Sequence, residues 1–232
     1  MLATPDLLKK FKLFKGLSDE DLSYLCSKSL VDRHARRGVV LNAGVSENKI
    51  CMLFEGRLQG IDFTIDGKEV GLYFVEPGDY CGELCFFDQG AQTEHVIALN
   101  SAVVVVFSAE TIRTVAHRNP DIMLEFGSKL ASRVRQMATQ RALLSLPNVL
   151  QRVCGQLLLL TPNPEAGVKG TVHIKNLPTH MEIAIMLNLS RETITRVFQQ
   201  LQKRKIVSRS GQNSLIIEDV AALRQITGGS GN

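Results

Sequence analysis

The chain has 232 residues, 44% hydrophobic and 22% charged, with a net charge of +4, a length that suits one large domain or two modest ones. That balance excludes a disordered, collagen-like or disulfide-stapled chain, and no apolar run nears the roughly eighteen residues of a membrane span. The start, Met1-Leu2-Ala3-Thr4-Pro5-Asp6, lacks the charge pattern and apolar core of a secretion signal, so a cytoplasmic protein with reduced cysteines is expected. Of Cys26, Cys51, Cys81, Cys85 and Cys154, only Cys81 and Cys85 lie close, without the second half of a zinc or iron–sulfur spacing; no metal site is expected. Residues 1–118 carry 13 Lys/Arg and 16 Asp/Glu, whereas residues 146–232 carry 10 and 5, so a polyanion-binding part belongs at the C-terminal end.

From Ala35 to Phe107 short apolar runs (Val39–Leu41, Ile50–Phe54, Gly71–Val75 and Val103–Phe107) alternate with glycine-centred turns, which predicts an all-β unit rolled into a closed sandwich or barrel. Asp66-Gly67 marks a hairpin, because both residues tolerate positive φ, and Glu76-Pro77-Gly78-Asp79 a second turn. Asn119-Pro120 then opens a long helix that nothing breaks before about Leu144. Along it Met123, Gly127, Leu130, Val134, Met137, Arg141 and Leu144 fall at alternating steps of four and three, the seam of a dimer. The competing arrangement lays the helix on its own barrel.

Pro147 starts a further helix, Asn148 to about Leu160, followed by a loop with Pro162, Pro164, Gly167 and Gly170; the tail at 228–231 reads as disordered or added sequence. Thr179-His180-Met181-Glu182 has the spacing of a capping box, starting a helix that ends where Asn188 takes a left-handed turn. Ser190 caps the next helix, Arg191 to about Lys203, with Ile194, Val197 and Leu201 on one face and Arg191, Glu192, Thr195, Arg196, Gln199 and Lys203 on the other. Two helices joined by a tight turn, with arginines near the N-terminus of the second, fit the helix-turn-helix that enters a major groove, where an arginine fork matches guanine and a glutamate accepts from cytosine. Ile206–Ser208 and Leu215–Ile217, around residues 209–213, predict a two-stranded wing.

Ser190-Arg191-Glu192-Thr193-Ile194-Thr195-Arg196 resembles the recognition helix of the cyclic-AMP receptor protein/FNR (CRP/FNR) family of bacterial transcription regulators. Gly78-Asp79-Tyr80-Cys81-Gly82-Glu83-Leu84 resembles its phosphate-binding cassette, and Asn119-Pro120-Asp121-Ile122 the start of its dimerisation helix. The resemblance implies an α+β chain: an effector-sensing β-roll over 1–118, a dimerisation helix over 119–145 and a winged helix-turn-helix over 146–232. It implies DNA contacts from Ser190, Arg191, Glu192, Thr193, Thr195, Arg196 and Lys203, and an effector site drawn from Gly82, Glu83, Leu84, Thr93, Glu94, Arg133, Met137 and Ala138. Implied partners are double-stranded DNA with a two-fold symmetric site, a second copy of the chain through residues 120–144, and RNA polymerase; a membrane is not among them.

The effector site departs from the cyclic-AMP branch. Thr93 and Glu94 stand where that branch carries an Arg-Ser pair for the cyclic phosphate, and Met137 and Ala138 where it carries a Thr-Ser pair for adenine. Cyclic AMP is therefore not the expected effector. Cyclic di-GMP, met by Arg133, Arg135 or Arg141, another nucleotide, a different metabolite, or no effector stay open, as does a module acting through protein partners. No pattern of a metalloprotease, an esterase or a phosphate-binding loop is present, and Glu94-His95 reads as a surface pair rather than a catalyst, so an enzyme is not expected.

Overall fold

The structure is a computed structural model and describes residues 2–161, 171–211 and 213–228. The chain divides into two compact units, Met1–Val134 and Arg135–Asn232.

The first unit begins with α1 (Pro5–Leu8) and α2 (Asp19–Lys28), the latter capped by Ser18, whose side chain accepts from the Asp21 amide. Strands β1 (Leu30–His34), β2 (Val39–Leu41), β3 (Lys49–Glu55), β4 (Leu58–Phe63), β5 (Glu69–Val75) and β6 (Tyr80–Cys81) follow, then α3 (Leu84–Asp88), β7 (His95–Ala98), β8 (Ala102–Ser108), α4 (Ala109–Arg118) and α5 (Asp121–Leu144). Two antiparallel four-stranded sheets, ordered β1-β8-β3-β6 and β2-β7-β4-β5, form the roll. Gly67, at φ +73°, turns β4 into β5 at the predicted hairpin.

Burial on both faces explains why the apolar runs of β3 and β8 do not alternate. Cys51, Leu53, Ala102 and Val104 face the core between the sheets, with Leu58, Val75, Cys81 and Val96. Ile50, Met52, Val105 and Phe107 face the other way, onto a second core with Leu22 and Leu25 of α2, Ile112 and Val115 of α4, and Ile122 and Phe126 of α5. Strands β1 and β7 and helices α2 and α4 were not foreseen.

The start of the long helix packs on its own unit, and most of the seam residues face outward. Ile122 and Phe126 are buried in the unit's own core, while Met123, Val134, Met137 and Leu144 of the seam stay exposed. Gly127 and Arg141 are exposed too and Leu130 is half-buried.

In the second unit α6 (Val149–Leu159), capped by Asn148, precedes β9 (Val172–Ile174), α7 (His180–Leu187), α8 (Arg191–Lys203), β10 (Val207–Arg209), β11 (Leu215–Ile217) and α9 (Val220–Ile226). The wing is three-stranded, ordered β10-β11-β9, rather than two-stranded: Ile216 pairs with Ser208 on one side and His173 on the other. The predicted proline and glycine loop beyond Thr161, Gln212 of the predicted wing turn and the tail beyond Gly228 lie outside the described residues.

Candidate nucleic-acid interface and effector site

The helix pair forms from local signals. Thr179 accepts from the Glu182 amide while Glu182 reaches back to the Thr179 amide at 2.9 Å, a complete capping box at the head of α7. Asn188 ends α7 in the left-handed conformation, φ 52°, and Ser190 caps α8 by accepting from the Thr193 amide. Ile194, Val197 and Leu201 are buried as predicted, joined by Phe198, which the sequence reading left out. Arg191, Glu192, Arg196, Gln199 and Lys203 are exposed together on the other side.

Hydroxyls predicted to meet DNA are partly engaged within the helix. Ser190 Oγ and Thr193 Oγ1 lie 2.9 Å apart in the cap, and an Arg196 Nη2 reaches Thr193 Oγ1 at 3.4 Å. Thr195 Oγ1 donates to the Arg191 carbonyl at 2.9 Å and meets His180 Nδ1 at 2.9 Å. His180, absent from the sequence-level site, is held below its ordinary pKa by burial and then by Arg209 and Arg191.

In the roll, Gly82 adopts φ +84°, and a Cβ there would fall 2.3 Å from the Lys49 carbonyl oxygen, so this turn of the cassette requires glycine. Glu83 follows, buried, with Arg133 Nη2 of α5 donating to its Oε1 at 3.3 Å. The Arg133 guanidinium also stacks 3.3 Å from the centre of the Tyr73 ring. Lys129, one turn earlier, donates to Asp79. Burial raises the Glu83 carboxyl above the ordinary range, against the opposing pull of Arg133.

Glu94 is not a surface residue. It is 7% exposed, and its Oε1 accepts from the Tyr73 hydroxyl and from Gln92 Nε2 at 3.0 Å while its Oε2 accepts from the exposed Thr93 hydroxyl. A buried carboxylate needs such donors to offset lost hydration, and neither Tyr73 nor Gln92 was marked in the sequence. The phenol is pushed far above its usual pKa, first by burial and then by Glu94.

The structure thus joins Glu83 to Arg133, and Arg133 through Tyr73 to Glu94. Leu84 opens α3, half-buried. Met137 and Ala138 are exposed residues of the second unit, as are Arg135 and Arg141. All five cysteines are free thiols, and no cluster of metal ligands occurs among the described residues. Among those residues, too, no helix is long and apolar enough to cross a membrane.

Known proteins match both halves. Residues 32–119 match the cyclic nucleotide-binding domain family and residues 151–226 the Crp-like helix-turn-helix domain family. The cAMP-activated global transcriptional regulator CRP of Pasteurella multocida is 26% identical over 85% of this chain and 95% of its own. A CRP-like cAMP-activated global transcriptional regulator of Mycobacterium tuberculosis is 24% identical over 95% and 98%. Among solved structures, a CooA mutant from Carboxydothermus hydrogenoformans superposes with a TM-score of 0.75 at 16% identity, covering 98% of both chains. FixK2 from Bradyrhizobium japonicum gives 0.73 at 17%, covering 88% of this chain and 99% of its own.

Proposed function

Since the chain belongs to the CRP/FNR family of transcription regulators, and is thereby an effector-controlled DNA-binding regulator and not an enzyme, we propose that it works as a cytoplasmic homodimer whose paired α8 helices read a two-fold symmetric site in double-stranded DNA. In this reading residues 1–118 sense the effector, 119–145 dimerise and 146–232 bind DNA. The observation that carries it is the division of α8 into a face packed by Ile194, Val197, Phe198 and Leu201 and a face exposing Arg191, Glu192 and Arg196.

Replacing Arg191 or Arg196 by alanine is expected to cost about 1–3 kcal/mol on a site selected from random duplexes and to relax specificity at one base pair. Lys203, three turns along, is assigned to phosphate, so its loss should weaken all sequences about equally. Arginine variants that bind and discriminate like the parent would remove α8 from the groove.

The dimer is supported by the unpaired seam. Val134 and Met137 are 66% and 60% exposed, and Gly127, which costs a helix interior about 1 kcal/mol relative to alanine, has open space where its Cβ would be. Nothing among the described residues calls for that glycine, whereas a second helix crossing closely there would.

Cyclic AMP activates the curated relatives by name, yet the chemistry around Glu94 favours a different effector here. A phosphodiester at Thr93 and Glu94 would meet a buried carboxylate, while Arg133, across the Tyr73 ring, is already paired with Glu83, and two like charges about 4 Å apart at an effective dielectric of about 20 repel by about 4 kcal/mol. Isothermal titration is expected to find cyclic AMP bound about a thousandfold more weakly than a matched cationic pocket would hold it, or not at all. Thr93→Arg with Glu94→Ser should restore binding; tight binding by the unaltered protein that also raises DNA affinity would reverse the assignment.

A further inference from the structure

The bond between His180 and Thr195 links the first helix of the helix-turn-helix to the second through side chains, and proton counting fixes its direction. The Thr195 hydroxyl has one proton, and because a carbonyl can only accept, the 2.9 Å contact with Arg191 assigns that proton to it. His180 Nδ1 therefore carries the hydrogen of the second bond and Thr195 accepts it. The other ring nitrogen, Nε2, is enclosed without a partner among the described residues; the opposite tautomer would seal an unpaired N–H there, the rarer and costlier orphan. The imidazole is held in place by the Phe198 ring, 4.6 Å away between centroids.

We propose that His180 is a positioning residue for the recognition helix, which engages the Thr195 hydroxyl so that Thr195 turns its methyl group to the major groove and reads the 5-methyl group of a thymine. The proposal rests on the assignment of α8 to the groove. With its proton on Arg191, the hydroxyl has nothing to donate to guanine O6, thymine O4 or a purine N7. Thr195 is half-buried, one turn beyond Arg191 and beside Arg196; with the proton and one lone pair of its hydroxyl engaged, its methyl is the group that makes no hydrogen bond. Thymine alone presents a methyl group in the major groove.

The test uses the full-length protein and a duplex selected from random sequence, with each thymine replaced singly by deoxyuridine. Binding is expected to fall about fourfold at one thymine per half-site, the worth of one buried methyl group, and to stay unchanged at the others. Thr195→Val should keep that uracil penalty, and Thr195→Ser should abolish it. His180→Asn, which retains an N–H near the Nδ1 position, should keep the penalty, whereas His180→Leu should reduce it by freeing the hydroxyl. A penalty kept by Thr195→Ser would mean that another group touches the thymine methyl, and the proposal falls. It also falls if no thymine is sensitive. When that happens while Arg191→Ala and Arg196→Ala still alter specificity, the groove assignment stands and only the role of His180 is wrong; when the arginine variants are silent too, both fall.

Discussion

Val134→Asp is expected to yield a monomer that no longer holds its operator. In the protomer the side chain is 66% exposed, so aspartate there harms neither the roll nor the packing of α5 on it. In a two-fold dimer the same position meets its own copy, and each interface would then bury two unpaired carboxylates. Leaving a charge uncompensated in a closed interface costs about 3–5 kcal/mol, and here the cost falls on both chains at once. Because a helix-turn-helix dimer gains most of its affinity from two half-sites held one helical turn apart, losing the dimer should abolish specific binding rather than weaken it. Light scattering and a gel shift on the selected duplex check both statements, with circular dichroism showing an unchanged fold. A variant that remains dimeric would move the interface off α5.

Arg133→Ala is expected to destabilise the first unit by about 3–5 kcal/mol, because it strands the buried Glu83 carboxylate and removes the guanidinium from the Tyr73 face. The pH dependence separates the two causes. Burial already raises the Glu83 pKa in the folded protein, and Arg133 opposes that rise; without Arg133 it climbs further. A carboxyl whose folded pKa lies above its unfolded value stabilises the fold below the unfolded value, about 4.3 for glutamate, and loses that contribution as pH rises through the folded one. The deficit of the variant should therefore be largest at pH 7–8 and shrink towards pH 5, and Glu83→Gln added to Arg133→Ala should recover part of it at neutral pH. Urea denaturation at the two pH values measures this. An equal deficit at both would assign the loss to packing on Tyr73 instead of charge.

The parts of the molecule that were legible in sequence are those whose signals are local. Thr179 and Glu182, Asn188 and Ser190 declare two helices and the turn between them without reference to anything distant, and Asp66-Gly67 declares its hairpin. The orientation of Glu94 was not legible, because it depends on Tyr73, 21 residues away on β5; from its immediate neighbours the carboxylate looked like a surface group. Strand β9 escaped for a similar reason: three residues, Val172–Ile174, are a strand only because β11 offers an edge. The double burial of β8 hid α2 and α4, since its unbroken apolar run is compatible with several coverings and names none of them. His180 carried no signal at all beyond its place next to a cap.

The two ends of the cassette differ in how freely they can evolve. At Gly82 the left-handed backbone and the carbonyl of Lys49, 2.3 Å from where a side chain would begin, close the position to every other residue. At Thr93 and Glu94 the constraint is a set of hydrogen bonds to Tyr73 and Gln92, which other residue sets can satisfy with the opposite charge. Drift is thus forbidden in the bend that carries Glu83 and open in the chemistry opposite it, so that, on the proposed assignment of this site to the effector, a lineage can exchange the molecule it senses by paired substitutions at a few side chains while inheriting the same rigid frame.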